Sequence, residues 1–215
     1  MDADRSAVAA LQAILKKKPN SAPGERCDYC GVPLGLEHSH MIDLKARRIL
    51  CSCRPCYLVM VPQGAAQGRY KPVPTRYVEI EGFAVGDAEW DSLQIPIGLA
   101  FFFKNSAEGK TVAFYPGPAG ATESLLSLEA WDAIASGFPV FQTLEDDVEA
   151  VLIQRRRDGT RCFIVPIDQA YELVGLIRTT WRGFDGGEEA KGRIDAFFAK
   201  IGERSRGRVT APIIR

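Results

Sequence analysis

Four cysteines fall into two pairs of identical spacing, Cys27-x2-Cys30 and Cys53-x2-Cys56, with 22 residues between the pairs. Nothing else in the chain limits its fold so tightly. Two thiols three residues apart can wrap one side of a metal ion, and a ribbon of about this length brings the second pair back to complete a tetrahedron. The first pair is followed by Gly31, which accepts the left-handed backbone that aims amides at sulfur. The second, Cys53-Arg-Pro-Cys56-Tyr57, lacks such a glycine. Zinc suits a closed thiolate shell, and iron in a rubredoxin-like site is the alternative. Three further donors lie inside the module: Cys51, His38 and His40. Four thiolates complete a zinc shell without them. Cys51 is then a buried neighbour, a replacement ligand or a thiol acidified by the metal, and either histidine can substitute as a ligand or bond locally.

The rest of the chain divides around this module. Residues 4–17 carry Val8, Leu11, Ile14 and Leu15 at helical spacing, and Pro19 ends that helix. Residues 1–25 thus form a helix and linker, 26–60 the metal module, 61–203 a larger domain and 204–215 a flexible tail. In the larger domain the apolar run IPIGLAFFFK (95–104) predicts a strand that returns through KTVAFY (110–115). VEAVLIQ (148–154) and RCFIVPI (161–167) flank an Asp158-Gly159 turn as a second hairpin. Ser127, Asp168 and Asp185 stand where they cap three helices, over about 127–134, 169–181 and 188–203. The order gives an α+β fold, a mainly antiparallel sheet with helices on one side, preceded by the metal-bound ribbon.

Charge and motifs narrow the function classes. The chain has 27 basic and 27 acidic residues in 215, which argues against a general nucleic-acid or anionic-membrane binder. It has no apolar run long enough for a membrane span and no secretory signal pattern, so a cytoplasmic protein with reduced thiols is expected. Walker, dinucleotide-binding, serine-hydrolase and zinc-protease motifs are all missing. Two segments still invite chemistry. Tyr115 to Ser124, YPGPAGATES, reads as a strand-to-helix connector or a ligand loop. Glu145, Asp146, Asp147 and Glu149 form an acidic cluster, and an enzyme built on both segments is a third reading of the chain. Trp181 and Phe184, in the glycine-rich link between the last two helices, are core residues or an aromatic anchor for a partner.

Residues 27–56 (CDYCGVPLGLEHSHMIDLKARRILCSCRPC), taken with IPIGLAFFF, AFYPGPAGATES, DDVEAVLIQR and VPIDQAYELVGLIRTTWRGFDGG, resemble an uncharacterised bacterial family of unknown function. Genes of that family lie near those for uptake nickel–iron hydrogenases and their maturation factors. The resemblance covers residues 27 to about 200. It implies a pathway rather than a reaction: an accessory protein that contacts a hydrogenase subunit or maturation factor. An electron-transfer or oxygen-protective protein with iron in the four-cysteine site is the alternative.

Overall fold

The structure, a computed structural model, describes residues 24–117, 119–124, 129–156, 158–182, 186–205 and 207–210. The helix expected over 4–17 and the positions Ser127, Phe184 and Asp185 lie outside them. A small sheet comes first, made of β1 (Ser39–Asp43), β2 (Arg48–Ser52) and β3 (Tyr70–Pro72) in the order β2-β1-β3. The helix α1 (Arg54–Met60) follows β2 directly. Because β3 supplies the third strand, the hydrogen-bonded ribbon extends to Pro72.

The turn between β1 and β2 is tied by one carboxylate. Asp43 Oδ1 accepts the amides of Lys45 and Ala46, and Arg69 holds both Asp43 oxygens from the side, at 2.9 and 2.6 Å. The Asp43 side chain is only 1% exposed, so this fork is its compensation for lost water.

The larger sheet has seven strands in the order β10-β4-β9-β8-β5-β6-β7. They are β4 (Val78–Glu81), β5 (Leu99–Asn105), β6 (Lys110–Gly117), β7 (Gly120–Glu123), β8 (Glu149–Arg156), β9 (Gly159–Pro166) and β10 (Gly207–Thr210). All pairings are antiparallel except β10 against β4. The continuous apolar runs in β5, β8 and β9 arise because the central strands are covered on both faces. Leu99, Phe101, Ala150, Leu152, Phe163 and Val165 point to one side, where α4 (Ile167–Thr180) and α5 (Gly187–Arg204) pack. Ala100, Phe102, Val151, Ile153, Cys162 and Ile164 point to the other. The two long helices therefore share one face. The opposite face is closed by the short helices α2 (Asp87–Ser92) and α3 (Glu129–Ser136), with Phe102 stacked on Trp131 at 3.8 Å.

Three expectations change. Within the tail expected over 204–215, Gly207–Thr210 adds a parallel strand at the sheet edge, in register with Val78–Glu81. The segment after Tyr115 is not a connector into a helix: Pro116 and Gly117 still belong to β6 and pair with Ala121 and Gly120 of β7. Asp168 does not cap its helix. It lies inside the first turn of α4, whose cap position is Pro166, and its side chain is engaged elsewhere.

The ribbon docks on the body through both core and polar contacts. Ile42 and Val73 join the core under α4, and Lys71 Nζ donates to the Asp146 carbonyl at 2.6 Å.

The Arg69 fork holds the Asp43 carboxyl down at about 2. A depressed carboxyl contributes stability that is fully present above its unfolded value near pH 4 and is lost as pH falls toward 2. Asp43→Asn should therefore cost about 2 kcal/mol at pH 7, a fall in Tm of roughly 4–8 °C. Melting at intermediate pH checks the sign: the gap to wild type should hold constant from pH 7 to pH 5. A gap absent at pH 7, or already closing above pH 5, would contradict the assignment.

Candidate metal centre

Each pair of cysteines is set by a different local structure. Cys27 to Gly31 forms a tight knuckle in which the Gly31 amide donates to the Cys27 carbonyl at 2.9 Å. Gly31 has a left-handed φ of 72°, the conformation expected of it from sequence. The second pair needs no such glycine because it opens a helix. Cys53 is the residue capping α1, with extended backbone, and Cys56 lies one turn on, with Pro55 in the first turn where its missing N–H costs nothing. Knuckle, hairpin and helix start thus bring four thiols together from two ends of one ribbon.

The sulfurs of Cys27, Cys30, Cys53 and Cys56 lie within 4.8 Å of one another. Cys30 Sγ and Cys53 Sγ are 3.6 Å apart. A disulfide needs about 2.05 Å, whereas zinc–sulfur bonds of about 2.3 Å in a tetrahedron separate sulfurs by about 3.8 Å. The spacing fits a shared metal ion, and the four cysteines are positioned to bind one.

The electrostatics agree. Burial pushes the Cys27 thiol up, but the amides of Cys30, Cys53 and Tyr29 that hydrogen-bond its sulfur more than offset this and bring it down to about 6. Cys56 moves the other way, pushed up to about 12 by its hydrogen bond with Cys53 and by burial. Backbone dipoles therefore favour ionising Cys27, whereas Cys53 and Cys56 are pushed the other way. A divalent cation at the centre removes that conflict and lets all four ionise.

Cys51, His38 and His40 do not enter this cluster. They form a second group, with one donor atom from each lying within 4.8 Å of the others. β2 ends at Ser52, and the turn into α1 carries Cys53 away from Cys51. The His38 and His40 rings meet edge to face at 4.6 Å. His38 Nδ1 contacts the Gly35 carbonyl at 3.0 Å, and His40 Nδ1 contacts Asp168 Oδ2 at 2.8 Å. The bond to Asp168 raises the His40 pKa against the opposing effect of burial. Burial, followed by the carboxylates of Glu25 and Asp28, pushes the Cys51 thiol up to about 11. Asp168 was the residue hidden from sequence reading: it is 128 positions from His40, and an aspartate opening a helix carries the ordinary signature of a cap.

The other sequence candidates have structural employment. Glu149 is buried and held by Arg76 through two bonds of 2.7 Å. Asp147 accepts the Ser106 amide, and Asp146 pairs with Lys104. A cavity of about 630 Å3 between the ribbon and the body reaches Glu123 and Asp147, but its walls are mainly Ile42, Leu44, Ile49, Phe103 and Phe114. Glu108 at its edge is taken by Arg47 and Lys110. Trp181, at the end of α4, is half-buried against the core. Cys162, in β9, is fully buried. Among the described residues no helix is long and apolar enough to cross a membrane.

A family model described as a family of unknown function, DUF5947, matches residues 26–205, and the chain belongs to that family. The match begins one residue before the first cysteine knuckle and ends just after α5. No curated protein and no solved structure matches the chain.

Losing one thiolate should cost the four-cysteine metal more than the 10–100-fold typical of losing a supporting residue. Cys30→Ser is therefore expected to abolish the strong thiolate-to-cobalt absorption of the cobalt-loaded protein and to loosen residues 26–60, leaving the seven-stranded body folded. Cys51→Ala should keep that absorption. Its full retention in Cys30→Ser, or its loss in Cys51→Ala, would overturn the ligand assignment.

Proposed function

We propose that this DUF5947 protein is a metal-binding accessory protein that carries zinc in its four-cysteine site and works by protein–protein contact in nickel–iron hydrogenase assembly or maturation. The observation that carries the metal half is the sulfur cluster itself, four donors within 4.8 Å with amides aimed at Cys27. Zinc fits a closed thiolate shell whose second pair opens a helix and whose task is to hold a ribbon too small to fold alone. The hydrogenase pathway rests on the resemblance of the ordered sequence segments to a family encoded beside hydrogenase genes.

The contact surface proposed is the β6–β7 hairpin together with the end of α4. What supports it is their proximity: the hairpin tip at Gly120 lies beside the Arg178 side chain, on the last turn of the helix that leads into Trp181. A tight hairpin and a half-buried aromatic lose little entropy on binding, which favours recognition there. Arg178 is exposed and leaves the core untouched when changed.

A pull-down from the native host, grown so that the hydrogenase operon is expressed, tests the reading. Wild-type protein should recover a hydrogenase subunit or maturation factor, and Arg178→Glu should lower that yield by about fivefold or more, the effect of losing about 1 kcal/mol of binding. Recovery of no hydrogenase-related protein by wild type would remove the proposed function, and an unchanged yield with Arg178→Glu would remove the surface. Zinc content in the native-host protein supports the metal assignment, and the red colour of ferric thiolate would replace it with the rubredoxin-like alternative.

A further inference from the structure

We propose that His38, His40 and Cys51 form a second metal site, separate from the four-cysteine cluster, which takes a divalent first-row transition-metal ion and uses Asp168 to orient His40. It shares no ligand with the four-cysteine site and does not depend on the hydrogenase reading.

The strand register builds the site. His40 stands directly opposite Cys51 across β1 and β2. The amide and carbonyl of Cys51 are both used by Asp28, at 2.7 and 2.9 Å, and so do not bond to β1. The pair is therefore of the non-hydrogen-bonded kind, in which opposing side chains come closest. His38 precedes His40 by two residues and falls on the same face. This is why His40 and Cys51, from two strands, and His38, immediately before β1, bring three donors within 4.8 Å.

The hydrogen bonds then fix which nitrogen is free. The Gly35 carbonyl can only accept, so His38 Nδ1 carries the proton and donates it. Asp168 accepts from His40 Nδ1 in the same way. Both rings are left with a lone pair at Nε2, the arrangement of a metal-binding histidine whose other nitrogen donates to a carbonyl or carboxylate. The His38 side chain is only 6% exposed, and its Nε2 has no hydrogen-bond partner. The Glu25 carboxylate is 3.5 Å away, on a largely exposed side chain. A buried nitrogen lone pair without a donor is costly, and a metal ion supplies what it lacks.

The donor set defines the chemistry. Two imidazoles and one thiolate suit zinc and its divalent neighbours rather than magnesium or calcium. Three protein ligands leave a fourth position for water or for the Glu25 carboxylate. That distinguishes this site from the closed four-thiolate shell and makes it the one able to exchange a ligand.

Cobalt titration of the full, reduced chain, prepared metal-free and without an affinity histidine tag, tests the proposal. Wild type should bind two equivalents. One gives the intense charge-transfer absorption of four thiolates, and the other adds a weaker band from one thiolate. Cys51→Ser and His40→Gln should each remove the weaker equivalent and leave the intense one, which also reports that the ribbon is folded. Asp168→Asn should weaken the second equivalent about 10–100-fold while leaving the first unchanged, and Asp168→Glu should restore it in part. Saturation of wild type at one equivalent overturns the proposal without recourse to any variant. So does a second equivalent that survives both Cys51→Ser and His40→Gln. Failure of the four-cysteine reading looks different: the intense band would be missing while the weak one remained.

Discussion

Four cysteine sulfurs drawn within 4.8 Å of one another from two ends of one ribbon are the constraint on which the first described residues depend, because like-charged thiolates at that spacing repel unless a cation lies among them. A cation bound among them would join the knuckle at Cys27 to the start of α1 and so close the hairpin between at both ends. About thirty-five residues bury too little apolar surface to fold alone. The ribbon therefore draws on two further sources: the Asp43–Arg69 fork across its turn, and the body, through Ile42, Val73 and the His40–Asp168 bond.

The body is built on one sheet with a core on each face. Its central strands are buried on both faces, so one sheet organises two cores, and side chains alternate between them residue by residue along β5, β8 and β9. Charged groups at the sheet ends are spent on structure, Glu149 with Arg76 being the most deeply buried case. One consequence reaches the ribbon. The first turn of α4 is fixed by Ile167 in the core, and this sets Asp168 against the histidine pair.

Much of this was legible in the sequence because it is local. The CxxC spacing, Gly31, the Asp158-Gly159 turn and the apolar runs at 95–104 and 148–154 each state their structure within a few residues. What escaped depends on long-range placement. Spacing offered Cys51, His38 and His40 as substitutes for the four-cysteine site. Only the β1–β2 register, with His40 opposite Cys51, makes them a group of their own. Asp168 has the local pattern of a cap, and no short-range feature points to a histidine 128 positions away. The glycines and prolines of 116–120 read equally as a loop, because hairpin tips and connectors use the same residues. The strand Gly207–Thr210 is a short edge strand whose partner, β4, lies far upstream.

The central claim is that a metal ion at the four cysteines holds the ribbon's fold while the body stands by itself. Hydrogen–deuterium exchange on the full chain, before and after chelation under reducing conditions, measures this directly. The account predicts that chelation exposes the amides of residues 26–60 to rapid exchange and leaves β5, β8 and β9 protected. Unchanged protection of residues 26–60, or loss of protection throughout the seven-stranded sheet, would contradict it.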